Sequence, residues 1–221
     1  MSGDGFLHRY FLNNADKPLH KWLHYFDVYE RHFERFRGKS PVVLEIGVAG
    51  GGSLTMWKEY FGLGAKIVGI DLNPEFANNG GEGIDVHIGD QADPAFIKRL
   101  VDKYTAFDIV IDDGSHVSKH MIASFNMLYE HVQPMGVYLV EDTHTNYWSS
   151  FNDGLRKPGS FMEFSKLKID ELNAFHIENN GLPISLFTRS TLSVSYYDSM
   201  VVFEKRPQAF RQHIITNPRP L

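Results

Sequence analysis

Phe107-Asp108-Ile109-Val110-Ile111-Asp112-Asp113-Gly114-Ser115-His116 is answered further along the chain by Gly136-Val137-Tyr138-Leu139-Val140-Glu141-Asp142-Thr143-His144. Each is an apolar run that stops in a pair of acids and then reaches a histidine. Runs of Val, Ile, Leu and Tyr bounded by turn residues read as buried strands, and buried parallel strands need helices between them. The segment from about Val117 to His131 has the length for such a helix. Asp112, Asp113, Glu141 and Asp142 are therefore expected side by side at the carboxyl ends of adjacent strands. In open α/β sheets ligands bind at that edge, so these carboxylates, with His116 and His144, make a candidate metal or acid/base site.

At 221 residues with 43% hydrophobic content, the chain can bury a full-sized core, and residues 1–221 are expected to form one domain. A net charge of −5 lends no support to a nucleic-acid partner. The absence of cysteine excludes disulfides, thiolate zinc sites and a cysteine nucleophile. Met1 to Phe6 has neither an apolar segment nor a basic start, and no run approaches the roughly 18 apolar residues of a membrane span. The expectation is a cytoplasmic protein with no membrane partner.

Residues 1–40 carry Trp22, Tyr25, Phe26, Tyr29, Phe33 and Phe36 at helical spacing, one stripe of an amphipathic helical cap. The stripe either packs on the sheet or a partner chain, or the loop before it, Asn13 to Lys17, covers a ligand. After a turn at Gly38 to Pro41, Val42 to Gly47 reads as a first buried strand. It runs into Val48-Ala-Gly-Gly-Gly-Ser53 and a helix over Leu54 to Phe61. A strand, a glycine-rich turn and a helix let a ligand approach the backbone and meet helix N–H groups. The glycines fit neither the dinucleotide spacing nor a P-loop. An acid, Glu45, ends the strand instead, which favours a cationic or zwitterionic ligand over a pyrophosphate.

Ala65 to Asp71 is a second strand, and a carboxylate at its end suits the two hydroxyls of a ribose. Pro74 to Gly83 reads as a loop and Ile84 to Ile88 as a third strand. Asp90 and Gln91 then fall where an adenine edge would lie, and Asp93 caps a helix from Pro94 to Tyr104. Thr143 to Ser165 is a long irregular stretch whose Tyr147, Trp148, Phe151 and Phe161 either stack on a ring face or pack the loop down. A helix from about Phe161 to Asn179 leads to Leu192 to Tyr197 and Met200 to Glu204, a hairpin turning at Asp198-Ser199. The tail from Arg206 to Leu221 reads as irregular.

Seven strands, the last two in a hairpin, with Glu45, Gly47, Asp71 and Asp90 at successive strand ends, resemble the class I S-adenosylmethionine-dependent methyltransferases. That resemblance implies a three-layer, Rossmann-like α/β fold with a mostly parallel sheet and an antiparallel last strand. Asp27-Val-Tyr-Glu-Arg-His-Phe33, Leu44-Glu-Ile-Gly47, Ser53-Leu-Thr-Met-Trp57, Phe107 to His116, Val140-Glu-Asp142 and Tyr197 to Lys205 look more narrowly like the sugar O-methyltransferases of macrolide antibiotic biosynthesis. The likeness covers nearly the whole chain and the catalytic half of those enzymes.

By that resemblance the reaction is a magnesium-dependent methyl transfer from S-adenosyl-L-methionine to a sugar hydroxyl of a glycosylated natural product or polysaccharide. It implies Asp113, Glu141 and Asp142 as Mg2+ ligands and His116 as general base. It places Asp112 near the cofactor's methionine end, the turn of Gly47, Gly51 and Ser53 around the amino-acid part, and Asp71 at the ribose. The acceptor is a small glycoside or saccharide bordered by the 143–165 loop, with homo-oligomer assembly left open. An alcohol is a poor nucleophile near neutral pH, so its proton must be removed and the developing alkoxide stabilised. A histidine with an ordinary pKa near 6.5 suits that task. A catechol or phenol acceptor, and a non-catalytic cofactor-binding module, are the alternatives.

Overall fold

The acid-ended runs pair directly, and the sheet grows outward from them. The structure, a computed structural model, describes residues 5–179, 181–209 and 212–216. Its seven strands are β1 (Val42–Ile46), β2 (Lys66–Asp71), β3 (Ile84–Ile88), β4 (Phe107–Asp112), β5 (Val132–Val140), β6 (Thr191–Tyr197) and β7 (Met200–Lys205). They lie in the order β3-β2-β1-β4-β5-β7-β6. Strands β1 to β5 are parallel, while β7 runs antiparallel to β5 and to β6. The expected α/β architecture with its terminal hairpin is what the chain adopts.

Helices α1 (Phe6–Asn13), α2 (Tyr25–Phe33) and α3 (Gly52–Phe61) share one core cluster, and α4 (Pro94–Tyr104), α5 (Ser118–Leu128) and α6 (Phe161–Leu172) the other. Strand side chains alternate between the two, as a period of two requires. Val43, Ile109, Ile111, Val137 and Leu139 join the first cluster, and Leu44, Ile46, Val110, Tyr138 and Val140 the second. Of the aromatic stripe, Tyr25, Phe26, Tyr29 and Phe33 lie buried on α2, where Tyr29 and Phe33 meet Trp57 edge-on at 5.0 and 5.8 Å, whereas Trp22 precedes the helix and is half exposed and Phe36 follows it.

Local signals set the element ends. Asp93 caps α4 by accepting from Ala95 N at 2.9 Å, with Pro94 opening the helix. Ser160 caps α6 by accepting from Glu163 N at 3.1 Å. The helix expected to reach Asn179 stops at Leu172, and a short helix α7 (Leu186–Ser190), held by a Ser185–Thr188 capping box, precedes the hairpin. Strand β5 begins at Val132, earlier than its apolar run, with a register shift against β4 beside Pro134. In the tail, residues 207–209 and 212–216 carry no regular element, and the rest of that expectation falls outside the described residues.

Candidate active site

Parallel pairing continues one residue past the strand ends: Asp113 N donates to Ile46 O at 3.0 Å and Glu141 N to Asp112 O at 2.9 Å. The acids therefore emerge in line, as the pattern predicts. Side-chain parity then divides them. Glu45, Asp113 and Glu141 occupy odd positions on their strands and face the α1–α3 layer, as Val43, Ile111 and Leu139 do. Asp112 faces the other way. Buried completely, it accepts from Ser124 Oγ at 2.5 Å and from Gln91 Nε2 at 3.1 Å. Burial pushes its carboxyl up, and the Ser124 and Gln91 hydrogen bonds oppose that. Asp112 thus braces Gln91 and does not reach the cavity wall.

On the odd-numbered face the acids meet Lys21, from the segment between α1 and α2. Its Nζ lies 2.6 Å from Asp113 Oδ2, 2.8 Å from Glu141 Oε2 and 3.5 Å from Glu45 Oε1. The side chain is 3% exposed. Burial alone would strip its proton, but Asp113, Glu141 and Glu45 reverse that and hold its pKa well above the usual lysine value. Burial, reinforced by Asp113, pushes the Glu141 carboxyl up against the pull of the ammonium. Glu45 Oε2 also accepts from Ser53 Oγ at 2.7 Å, and Glu45 sits behind the cavity lining. Lys21 was not singled out in the sequence, although it stands one helical turn ahead of Tyr25 and two ahead of Tyr29.

Asp113, His116 and Asp142 converge: one ligand atom from each lies within 4.8 Å of the others. His116 Nε2 is 3.6 Å from Asp142 Oδ2 and 4.0 Å from Asp113 Oδ1. Glu141, expected beside them, turns to Lys21 because parity points it into the α1–α3 layer, where the Tyr29 hydroxyl also faces it. His116 Nδ1 and Glu141 Oε1 are buried without a hydrogen-bond partner among the described residues. His116 and Asp142 both adopt left-handed backbone, at φ 56° and 53°. Non-glycine residues in that region concentrate at functional sites. Tyr25 Oη donates to Asp142 Oδ1 at 2.5 Å.

This cluster lines a cavity of about 280 Å³, together with Gly47, Gly52, Ser53, Asp71 and the 18–22 segment. A second cavity of about 270 Å³ shares Gly47, Asp71 and Gly114 and adds Asp90, Gln91 and His120. Gly47 has φ 95°, and a Cβ there would lie 2.1 Å from the Asp113 carbonyl, so no side chain fits. Gly51 turns the chain into α3 at φ 79° beneath Asn79, outside both linings. Asp71 Oδ2 accepts from Val48 N at 2.8 Å and Ala49 N at 3.2 Å, tying β2 to the glycine turn. Segment 17–21 roofs that turn: a Cβ on Gly52 would meet Pro18 O at 2.4 Å.

Beyond Asp142, the 143–165 stretch is built around short 3-10 turns, and buried Asn146 accepts from Met162 N at 3.0 Å. Phe161 is in the core, whereas Tyr147 and Trp148 stay half exposed. The His144 ring meets Trp148 at 4.6 Å and Trp22 at 5.9 Å.

The fold and much of the sequence recur in known proteins. The 8-demethyl-8-alpha-L-rhamnosyl tetracenomycin-C 2'-O-methyltransferase of Streptomyces olivaceus is 36% identical over 200 residues, covering 84% of this chain and 52% of that protein. Demethylmacrocin O-methyltransferase of Streptomyces fradiae is 36% identical over 200 residues, covering 84% of this chain and 50% of that protein. The crystal structure of MycE methyltransferase from the mycinamycin biosynthetic pathway, in complex with Mg and SAH, superposes with a TM-score of 0.79 at 32% identity. It covers 96% of this chain and 56% of that one. The chain belongs to the macrolide-type sugar O-methyltransferase family. It spans about half the length of these sugar O-methyltransferase relatives. No protein-family model matches it. A further MycE structure holds Mg, SAH and mycinamycin VI together, with a TM-score of 0.76 and 31% identity over 99% of this chain and 54% of that one.

Proposed function

We propose that residues 1–221 form one methyltransferase unit that transfers a methyl group from S-adenosyl-L-methionine to a sugar hydroxyl of a glycosylated natural product, with Mg2+. The convergence of Asp113, His116 and Asp142 in a cavity that shares walls with an adenosine-sized neighbour carries this reading. The names of the relatives, which act on rhamnosyl and macrolide compounds, support the acceptor class. The carboxylates of this group fit a hard divalent ion, which prefers oxygen ligands, and leave the imidazole beside them as the base.

Asp90 and Gln91 would border the adenine, Asp71 the ribose, and Gly47, Gly52 and Ser53 the methionine end. Asp113 and Asp142 would hold the ion, with Glu141 as the third carboxylate. The ion supplies positive charge for the developing alkoxide and a template for neighbouring sugar oxygens. His116 takes the hydroxyl proton on Nε2. The sulfonium loses its charge on transfer, so the protein contributes chiefly alignment of hydroxyl and methyl and exclusion of water by the 17–21 segment. Tyr147, Trp148 and Trp22 border the acceptor side. Among the described residues no helix is long and apolar enough to cross a membrane.

The test is transfer of labelled methyl from S-adenosylmethionine to a panel of deoxysugar glycosides and catechols, with and without chelator. Metal-dependent labelling of glycosides is expected. Labelling confined to catechols, or undiminished in chelator, overturns the reading.

A further inference from the structure

Lys21 has no part in the chemistry above, yet its ammonium is buried at the site among three acids. Its ammonium takes Oδ2 of Asp113 and Oε2 of Glu141, two of the three acids that the proposed ion would use, and touches neither Asp142 nor His116. Asp113 is thus the common edge of two cation positions. One, among Glu45, Asp113 and Glu141, is filled by the ammonium. The other, among Asp113, His116 and Asp142, is open to the cavity. We propose that Lys21 is a resident cation that competes with the divalent ion for Asp113 and Glu141, and so sets how tightly the site holds that ion.

The proposal rests on the magnesium-dependent reading of the site. Its physical basis is separate. An ion approaching Asp113 must either share it with a positive charge a few ångströms away or displace that charge, and both weaken binding. Like charges so close interact strongly where water is excluded, and the Lys21 side chain is 3% exposed. Glu141 Oε1, buried without a partner among the described residues, leaves this acid half-satisfied by the ammonium. Lys21 also anchors the roof over the glycine turn. Lys17 Nζ donates to Asn79 O at 3.0 Å at the other end of that segment, and Gly52 lies in direct contact beneath Pro18. Displacing the ammonium therefore loosens the roof from one end only.

The experiment is calorimetric titration of MgCl2 into the intact chain without cofactor or acceptor, for wild type, Lys21→Met and Lys21→Arg. Lys21→Met is expected to bind Mg2+ at least about tenfold more tightly, since the competing charge is gone. Lys21→Arg, which keeps the charge, should stay near wild type. Equal or weaker binding by a folded Lys21→Met protein overturns the proposal, as does absence of binding by both proteins. Because removing the cation leaves three acids unpaired in the fold, a second measurement uses wild type alone. Lysine Cε resonances are followed during Mg2+ addition, with Lys205, buried among the carbonyls of Tyr129, Glu130 and Val132, as internal reference. The Lys21 signal should move and that of Lys205 should not. A Lys21 signal unmoved at saturation overturns the proposal. Failure of the underlying functional reading shows differently, as methyl transfer that persists in chelator.

Discussion

The Tyr25 hydroxyl donates to Oδ1 of Asp142 at 2.5 Å, so a helix of the N-terminal cap orients an acid at the far end of β5. The Asp142 backbone, left-handed there, donates its N–H back to the Tyr25 oxygen at 3.3 Å. Tyr25→Phe should destabilise the fold by about 1.5–3 kcal/mol, a typical loss for a hydrogen bond to a charged acceptor. It should also weaken Mg2+ binding. Urea denaturation and metal titration check the two effects independently.

His116 reaches both neighbouring carboxylates and has no hydrogen-bond partner on Nδ1 among the described residues. Replacement by Asn should lower kcat by about 10²–10⁴-fold, the usual contribution of a general base. Binding of S-adenosylhomocysteine should be nearly unchanged. Parallel loss of cofactor affinity would instead indicate a collapsed cavity.

Asp113→Asn and Asp142→Asn should each weaken divalent-ion binding by at least about tenfold, since each removes one charge from the ligand set. Asp112→Asn should not, because its carboxylate lies on the opposite face, against Ser124 and Gln91. Calorimetry with MgCl2 on the three variants makes the comparison, and weakened binding by Asp112→Asn alone would refute the parity argument.

The roof over the glycine turn tolerates nothing larger than hydrogen at Gly52, where a Cβ would sit 2.4 Å from Pro18 O. Gly52→Ala should cost about 1–3 kcal/mol, as overpacking does, and weaken S-adenosylhomocysteine binding. Gly81→Ala, with nothing within 4 Å of the added carbon, is the control. Thermal unfolding and calorimetry read both.

Glu204 on β7 offers a pH test away from the site. The His32 hydrogen bond and the Arg35 guanidinium, 2.6 Å away, hold its pKa down to about 2 from the ordinary 4.5, against the upward push of burial. A carboxyl with a depressed folded-state pKa stabilises the fold above its unfolded value and loses that contribution as pH falls through the folded value. The stability difference between wild type and Glu204→Gln should therefore shrink between pH 4.5 and about 2. Denaturant midpoints measured across that window would show it, and a constant difference would contradict it.

Strand runs, the hairpin turn at Asp198-Ser199, the Asp93 cap and the alignment of the acids were all legible because each rests on local pattern or on period two. That same period divides Asp112 from Asp113 and Glu141 once the neighbours' faces are known. Lys21 was hidden because it precedes its helix and carries a charge where the stripe is read by its aromatics. Only the folded chain shows that the cation meets three acids, 24, 92 and 120 residues away. The start of β5 was missed for a related reason: Gln133-Pro134-Met135 reads as a turn, and sheet pairing overrides it. The early stop of α6 at Leu172 likewise lay beyond pattern, since the apolar spacing continues while Asn173 ends the backbone run.

The cap is sewn to the last hairpin as well as to the acids. His24 Nε2 donates to Asp198 O at 3.1 Å, His32 pairs with the Tyr197 hydroxyl at 2.9 Å, and Arg35 with Glu204. These contacts close loops of more than 160 residues, and closing such loops costs chain entropy. Asp142, gripped by Tyr25, and Thr143, whose N–H donates to Ser199 O at 3.0 Å, are therefore ordered by both ends of the chain at once. Release of either chain end from these contacts is therefore expected to scatter Asp113, His116 and Asp142 while the pairing of β1 to β5 stays in place.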